Sequence, residues 1–139
     1  MTISRSDATL IRIVAAVIVD EQGRVLLVRK RGTDAFMLPG GKLAVGERAL
    51  DALARELKEE IGCDLATPRP LGRFREAAAN EPGSTVEAEL FAVEAIGGVA
   101  PAAEIEEIRW HDSNEPVDFI LAPLARTHVL PLVRAWKPA

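Results

Sequence analysis

The most regular hydrophobic pattern in the chain lies between residues 49 and 62. Apolar residues recur there at intervals of three and four, which predicts an amphipathic helix with one stripe facing a core. The stripe consists of Leu50, Leu53, Leu57 and Ile61. Gly62 follows directly and is expected to end the helix in a left-handed conformation.

Two apolar segments precede this helix. Residues 10–19 are apolar on both alternating faces apart from Arg12, which predicts a central strand covered on both sides. Residues 24–30 predict a second strand. The turn-forming residues 20–23 lie between them, so we expect the two strands to form a hairpin.

Further strands are predicted after the helix. Pro68 and Pro70 favour a connection or a sheet edge over a central strand. Residues 71–79 and 85–95 predict an antiparallel pair around a five-residue turn. Residues 105–111 combine apolar, charged and aromatic residues in a way that is consistent with one more strand.

The last segment, residues 121–136, has a partly helical pattern that Pro131 should kink or split. Strands on both sides of one central helix, with a helix at the end, predict an α/β/α sandwich with a mixed β-sheet between the central and C-terminal helices. We expect one domain over residues 1–139, with residues 1–8 as a loose tail.

Composition narrows the class of protein. The chain has 139 residues, a net charge of −4 and a pI of about 5.3, so no overall positive field attracts it to nucleic acid or to an anionic membrane. One cysteine excludes an internal disulfide and suits a reducing compartment. No apolar run approaches the roughly 20 residues of a membrane-spanning helix. We therefore expect a cytoplasmic protein without nucleic-acid or membrane partners.

Three carboxylates lie along one edge of the predicted helix, at Glu56, Glu59 and Glu60. Like charges three and four residues apart destabilise a helix slightly, so helix propensity alone gives no reason for the cluster. One explanation is a solvated acidic face. The other is a hard divalent cation such as Mg²⁺, which takes carboxylate and phosphate oxygens as ligands.

The segment around the helix decides between these explanations. Gly41 is followed after five residues by Glu47, and after seven more by the run Arg55 to Gly62, RELKEEIG. This spacing resembles the Nudix box, and all of its fixed positions match. The one departure is Cys63, where the family usually has an aliphatic residue that a buried thiol can replace.

The resemblance implies a metal centre and a hydrolytic role. By resemblance, the carbonyl of Gly40 and the carboxylates of Glu56, Glu59 and Glu60 would bind Mg²⁺, with Mn²⁺ as a substitute. Either Glu56 or Glu59 would accept a proton from the attacking water. Glu104 matches a frequent family glutamate, but it also belongs to an acidic run that solvent alone would explain.

The resemblance also suggests orienting and substrate-binding groups. Glu47 and Arg55 are expected to orient the catalytic carboxylates, with Arg55 placed beside Glu59 on the helix. Arg29 and Lys42 match positions where related enzymes hold basic groups for phosphates, and Lys30 or Arg31 could substitute for Arg29. Gly41 would let the main chain approach a ligand closely.

The reaction implied is hydrolysis of the pyrophosphate bond in a nucleoside diphosphate linked to another moiety. Related enzymes that cleave ADP-ribose tend to have a proline in the region of residues 75–80, and those that cleave dinucleoside polyphosphates tend to have a tyrosine nearby. Residues 75–80 contain no proline and the chain contains no tyrosine, so the resemblance favours neither substrate. A compact MutT-like nucleoside triphosphate pyrophosphohydrolase, acting on standard or oxidised nucleotides, is therefore preferred. The alternatives are a nucleotide sensor without catalysis and a hydrolase of ADP-ribose or another nucleotide sugar. A homodimer is expected only by analogy.

Overall fold

Seven strands and two α-helices make up residues 10–136, the part of the chain that the computed structural model describes. The predicted tail at residues 1–8 lies outside the described residues. The strands are β1 (Leu10–Val17), β2 (Arg24–Lys30), β3 (Phe36–Met37), β4 (Gly40–Lys42), β5 (Asp64–Ala77), β6 (Thr85–Ile96) and β7 (Ile105–Asp112). The helices are α1 (Ala49–Ile61), a π-helical turn (Ala125–Val129) and α2 (Leu130–Ala135).

The strands form two sheets between the helices. The larger sheet has the order β4-β1-β6-β5, in which β1 and β6 are parallel and the other pairs antiparallel. The smaller has the order β3-β2-β7 and is antiparallel throughout. Helix α1 covers one face and the C-terminal helical segment covers the other. The predicted α/β/α sandwich with a mixed sheet is therefore confirmed.

The predicted hairpin between the first two strands is wrong in its extent. Val19 and Val25 form a single antiparallel bridge, and the Leu26 N–H donates to the Ile18 carbonyl at 2.9 Å. Beyond that point the strands separate. The reason is that β1 is hydrogen-bonded on both sides by β4 and β6, so β2 pairs with β3 and β7 instead.

Helix α1 packs as its pattern predicts. Leu53, Leu57 and Ile61 are fully buried against the sheets, and burial of each such side chain contributes about 2 kcal/mol. Gly62 has φ 74°, and its N–H donates to the Lys58 carbonyl at 3.1 Å, which is the predicted left-handed end. Cys63 is also fully buried in this core.

The prolines of β5 and of the C-terminal segment interrupt regular structure as predicted. Strand β5 is an edge strand, and its pairing with β6 is irregular around Pro68 and Pro70. The final segment splits into the π-helical turn and α2, with Pro131 in the first turn of α2. Proline lacks the N–H that a continuous helix would need at that position.

Candidate active site

Glu60 is a buried acidic side chain at the junction of α1 and β4. Its residue is 4% exposed, and its Oε1 accepts a hydrogen bond from the Gly40 N–H at 3.2 Å. The pKa of Glu60 is raised to about 7, chiefly by burial and also by the charges of Glu56 and Glu104, while the Gly40 N–H and Lys30 act in the opposite direction. One backbone hydrogen bond thus leaves this carboxylate incompletely compensated.

Glu56 occupies space that exists only because residue 41 is glycine. A Cβ atom on Gly41 would lie 2.4 Å from Cδ of Glu56 and 2.7 Å from both carboxylate oxygens. Strand β4 therefore presents bare backbone to this carboxyl group. Gly40 is equally constrained, since a Cβ there would lie 2.1 Å from the Val14 carbonyl oxygen. The two glycines let β4 fit between α1 and β1.

Arg55 connects Glu56 to the loop before the helix. Its Nε and Nη2 donate to the two oxygens of Glu47 at 3.0 and 2.9 Å, and its Nη1 donates to Glu56 Oε2 at 2.8 Å. These hydrogen bonds lower the pKa of Glu47 and raise that of Arg55. Arg55 therefore contacts Glu56 rather than the predicted neighbour Glu59. Its contacts give the predicted orienting role a physical basis.

We expect Arg55→Lys to reduce kcat about tenfold, because loss of a group that orients a metal-ligating side chain typically costs 10–100-fold. A lysine keeps the charge but cannot hold Glu47 and Glu56 with one planar group. Steady-state kinetics would measure the loss. Arg48→Lys is the matched control, since its side chain makes no hydrogen bond to any other described residue. Equal kinetics for Arg55→Lys and the native chain would contradict the orienting role.

A cleft of about 240 Å³ borders β4, the strand that Glu56 and Glu60 also contact. Its polar lining includes Gly40, Gly41, Lys30 and Lys42. Apolar side chains form the floor: Ile11, Ile13, Ala15, Met37, Leu38 and Val86. A cleft with this lining can hold an apolar group against the floor and an anionic group at the lysines.

Arg29, one of the predicted phosphate-binding residues, does not line this cleft, although it contacts Thr33, which does. Its guanidinium donates to Glu107 Oε1 at 3.1 Å and to the Thr33 carbonyl at 2.9 Å. Lys30 lines the cleft instead and affects the pKa of Glu60. The pairing of β2 with β7 shifts register between Arg29 and Lys30, and such a shift interrupts the regular alternation of strand faces at these two residues.

The donor set suits a hard cation even though the carboxylates do not form a closed cage. Glu59 is exposed, Glu56 is engaged by Arg55, and within residues 10–136 no three His, Cys, Asp or Glu side chains are gathered in a metal-binding arrangement. Mg²⁺ commonly takes only one or two carboxylates and completes its shell with water and substrate phosphates. The undercompensated Glu60 carboxylate and the bare backbone at Gly41 fit such a partial site.

Comparison with known proteins identifies the family. A model described as the NUDIX domain matches residues 9–133, which is most of the chain. The chain belongs to the Nudix family. The resemblance of the segment from Gly41 to Gly62 to the Nudix box is thus confirmed at the level of the family.

No helix in residues 10–136 has the length and apolar character needed to span a membrane.

The curated relatives of this chain carry names that refer to different substrates. An RNA pyrophosphohydrolase of Legionella pneumophila is 42% identical over 62 residues, 45% of this chain and 35% of that protein. A Bacillus subtilis protein with the provisional name 8-oxo-dGTP diphosphatase is 30% identical over 96 residues, 68% of this chain and 61% of that protein. The chain thus matches about a third of the length of the first relative.

Solved structures of MutT proteins share the fold. The MutT protein of Methanosarcina mazei superposes with a TM-score of 0.75 at 23% identity, over 92% of this chain and 95% of that protein. At this identity the similarity extends to the fold alone. The MutT-like architecture expected from the sequence is therefore confirmed.

Two residues of the cleft had no clear signal in the sequence. Lys30 directly follows the register shift in the pairing of β2 with β7, and no local pattern in the sequence marks that shift. Glu81 lies in the turn between β5 and β6 and also lines the cleft. It is 39 residues away from Lys42, the side chain that it contacts, so no local pattern could have connected them.

Proposed function

We propose that this Nudix protein is a Mg²⁺-dependent pyrophosphohydrolase that converts a nucleoside triphosphate to a nucleoside monophosphate and pyrophosphate. The observation that supports it best is the position of Glu56, held against bare glycine backbone by the Glu47–Arg55 pair. A carboxylate fixed in this way, beside a second buried carboxylate, is suited to bind a cation at a phosphate group.

When bound, the cation would neutralise phosphate oxygens and acidify a water molecule. The chain supplies the rest of the chemistry. Glu56 and Glu60, with Glu59 and the Gly40 carbonyl, would hold the cation. Either Glu56 or Glu59 would take the proton of the attacking water, whose oxygen forms a bond to phosphorus as the anhydride P–O bond breaks. Pyrophosphate leaves with the electron pair of that bond.

The substrate assignment is supported by the basic lining of the cleft. Lys30 and Lys42 lie along the same cleft as Gly40 and Gly41, so the phosphates of a nucleotide can follow the lysines while the nucleoside packs on the apolar floor. Cleavage of a nucleoside triphosphate to the monophosphate would release pyrophosphate, whereas cleavage of a nucleoside diphosphate would release phosphate, so the two reactions can be distinguished by their products.

A substrate panel tests the proposal. The full chain would be assayed with Mg²⁺ and with Mn²⁺ on standard nucleoside triphosphates, 8-oxo-dGTP, ADP-ribose, sugar nucleotides and 5′-triphosphorylated RNA. We expect release of pyrophosphate from a free nucleoside triphosphate. The RNA is included because of the relative in Legionella. Turnover of RNA or ADP-ribose alone would replace the proposed substrate, and no turnover of any compound would favour a sensor.

We expect Lys30→Gln to raise KM about tenfold with little change in kcat, because a hydrogen bond to a charged group contributes on the order of 1.5–3 kcal/mol. Arg29→Gln is the matched control on the adjacent residue, and it should leave KM nearly unchanged because Arg29 does not line the cleft. Initial-rate kinetics with the best substrate would measure both. A large KM effect of Arg29→Gln with none for Lys30→Gln would reverse the assignment.

A further inference from the structure

Each lysine that lines the cleft already contacts a carboxylate of the protein. Lys30 Nζ lies 3.5 Å from Glu104 Oε1, and Lys42 Nζ lies 3.7 Å from Glu81 Oε1. The positive charges that an anionic ligand needs are therefore balanced internally in the free protein. Any phosphate that reaches these lysines must compete with a glutamate.

The Glu81 contact crosses the mouth of the cleft. Glu81 lies in the turn between β5 and β6, where the Ser84 N–H donates to the Glu81 carbonyl at 3.0 Å and the Ala78 N–H donates to the Ser84 carbonyl at 3.0 Å. Lys42 lies on β4, at the opposite edge of the four-stranded sheet from β5. The turn thus extends over the sheet face, and its tip reaches Lys42.

This ion pair is weak enough to exchange. The Lys42 and Glu81 side chains are 69% and 48% exposed, and exposed pairs of this kind contribute at most about 1 kcal/mol. The turn holds the Glu81 backbone by hydrogen bonds, so the carboxylate remains close to Lys42 whichever anion Lys42 binds. Glu81 is therefore a constant local competitor for the positive charge of Lys42.

We propose that Glu81 is a specificity-determining residue that neutralises Lys42 in the free protein and thereby weakens the binding of the most highly charged phosphates. This inference rests on the proposed function for the nature of the ligand as a phosphate anion. A terminal phosphate carries close to two negative charges near neutral pH, whereas a phosphate esterified on both sides carries one. Because the Glu81 carboxylate repels a doubly charged phosphate more strongly than a singly charged one, it reduces the preference of this cleft for ligands with a terminal phosphate over diesterified pyrophosphates such as nucleotide sugars.

A double-mutant cycle on binding tests this idea without relying on turnover. Inorganic pyrophosphate is the probe, and its Kd at a fixed Mg²⁺ concentration would be measured by calorimetry. The proteins are the native chain, Glu81→Gln, Lys42→Gln, the double variant, and Glu115→Gln. Glu115 is exposed and its carboxylate makes no ion pair or hydrogen bond with the described residues, so it controls for the loss of one negative charge.

We expect Glu81→Gln to lower the Kd about threefold to fivefold, which matches the strength of an exposed ion pair. Lys42→Gln should raise it, and Glu81→Gln in the Lys42→Gln background should change it less than about twofold, because Glu81 acts through Lys42. Glu115→Gln should leave it unchanged. Glu81→Gln should also widen the preference for pyrophosphate over a methyl-esterified pyrophosphate, because the removed charge repels the more highly charged anion more strongly.

The assignment of Glu81 is overturned if Glu81→Gln leaves the Kd unchanged or if the native chain does not bind pyrophosphate. It is also overturned if Glu81→Gln increases the affinity equally in the Lys42→Gln background, or if Glu115→Gln increases the affinity by the same factor. Failure of the proposed function would be a separate result. A chain that hydrolyses no nucleotide but gives the expected cycle would retain the Glu81 assignment. A chain that is active but shows no coupling between Glu81 and Lys42 would lose it.

Discussion

Replacing Glu60 by glutamine is expected to remove most of the metal-dependent activity and, at the same time, to stabilise the metal-free protein. The activity should fall by about 10²–10³-fold, because a ligand to a cation that supplies several kcal/mol of transition-state stabilisation is lost. The fold should gain roughly 1–3 kcal/mol at pH 8, since glutamine has no charge to bury and its oxygen can still accept from the Gly40 N–H.

The sign of the stability effect follows from the pKa of Glu60. Its pKa rises from 4.5 to about 7 on folding, so between those values the folded state holds more protons than the unfolded state. Stability of the metal-free native chain must then fall as the pH rises through this window, and the loss is complete above pH 7. Glu60→Gln should therefore have a higher free energy of unfolding than the native chain at pH 8 and a similar one at pH 4.5.

Chemical denaturation without metal at the two pH values, together with steady-state kinetics in Mg²⁺, would measure both effects. Glu59→Gln is the control for stability, because Glu59 lies on the same helix edge but is exposed, and its charge has no burial cost. A Glu60→Gln variant that is less stable than the native chain at pH 8 would contradict this account, in which burial of the Glu60 charge destabilises the metal-free fold.

Replacing Gly41 by alanine is expected to lower kcat/KM by about 10²-fold, because a displacement of about 1 Å in a catalytic group can have an effect of that size. The added Cβ would lie 2.4 Å from Glu56 Cδ, so the carboxyl group must move and its contact with Arg55 must change. The backbone at Gly41 does not have the positive φ found at Gly40 and Gly62. The effect would therefore come from the methyl group itself.

Gly98→Ala is the matched control, since a Cβ at Gly98 meets no atom within 4 Å and the residue has no positive φ. Kinetics and thermal denaturation of both variants would separate a local effect on Glu56 from general destabilisation. A folded Gly41→Ala protein with native activity would show that the close approach of β4 to Glu56 is not needed.

The parts of the fold that local sequence determines were predictable. The apolar stripe of α1 depends on spacing along one helix, and the left-handed end at Gly62 depends on one residue type, so both could be found without the rest of the chain. The edge position of β5 followed from Pro68 and Pro70 for the same reason. Each of these features has its cause within a few residues.

The parts that depend on long-range competition were not predictable. Strands β1 and β2 are adjacent in sequence and joined by a tight turn, which locally favours a hairpin. The outcome depends on β4 and β6, which occupy both edges of β1. The choice between Arg29 and Lys30 at the cleft, and the contact of Glu81 with Lys42, likewise depend on which faces the sheets and turns bring together.

Direct cation binding is the measurement that tests the central claim, that the edge of α1 formed by Glu56 and Glu60 is a divalent metal site. Mn²⁺ would be titrated into the full chain without nucleotide and followed by electron paramagnetic resonance. We predict saturable binding that is lost in Glu56→Gln and in Glu60→Gln but retained in Glu115→Gln. Binding of equal strength in all four proteins, or none in the native chain with Mg²⁺-dependent activity intact, would contradict the claim.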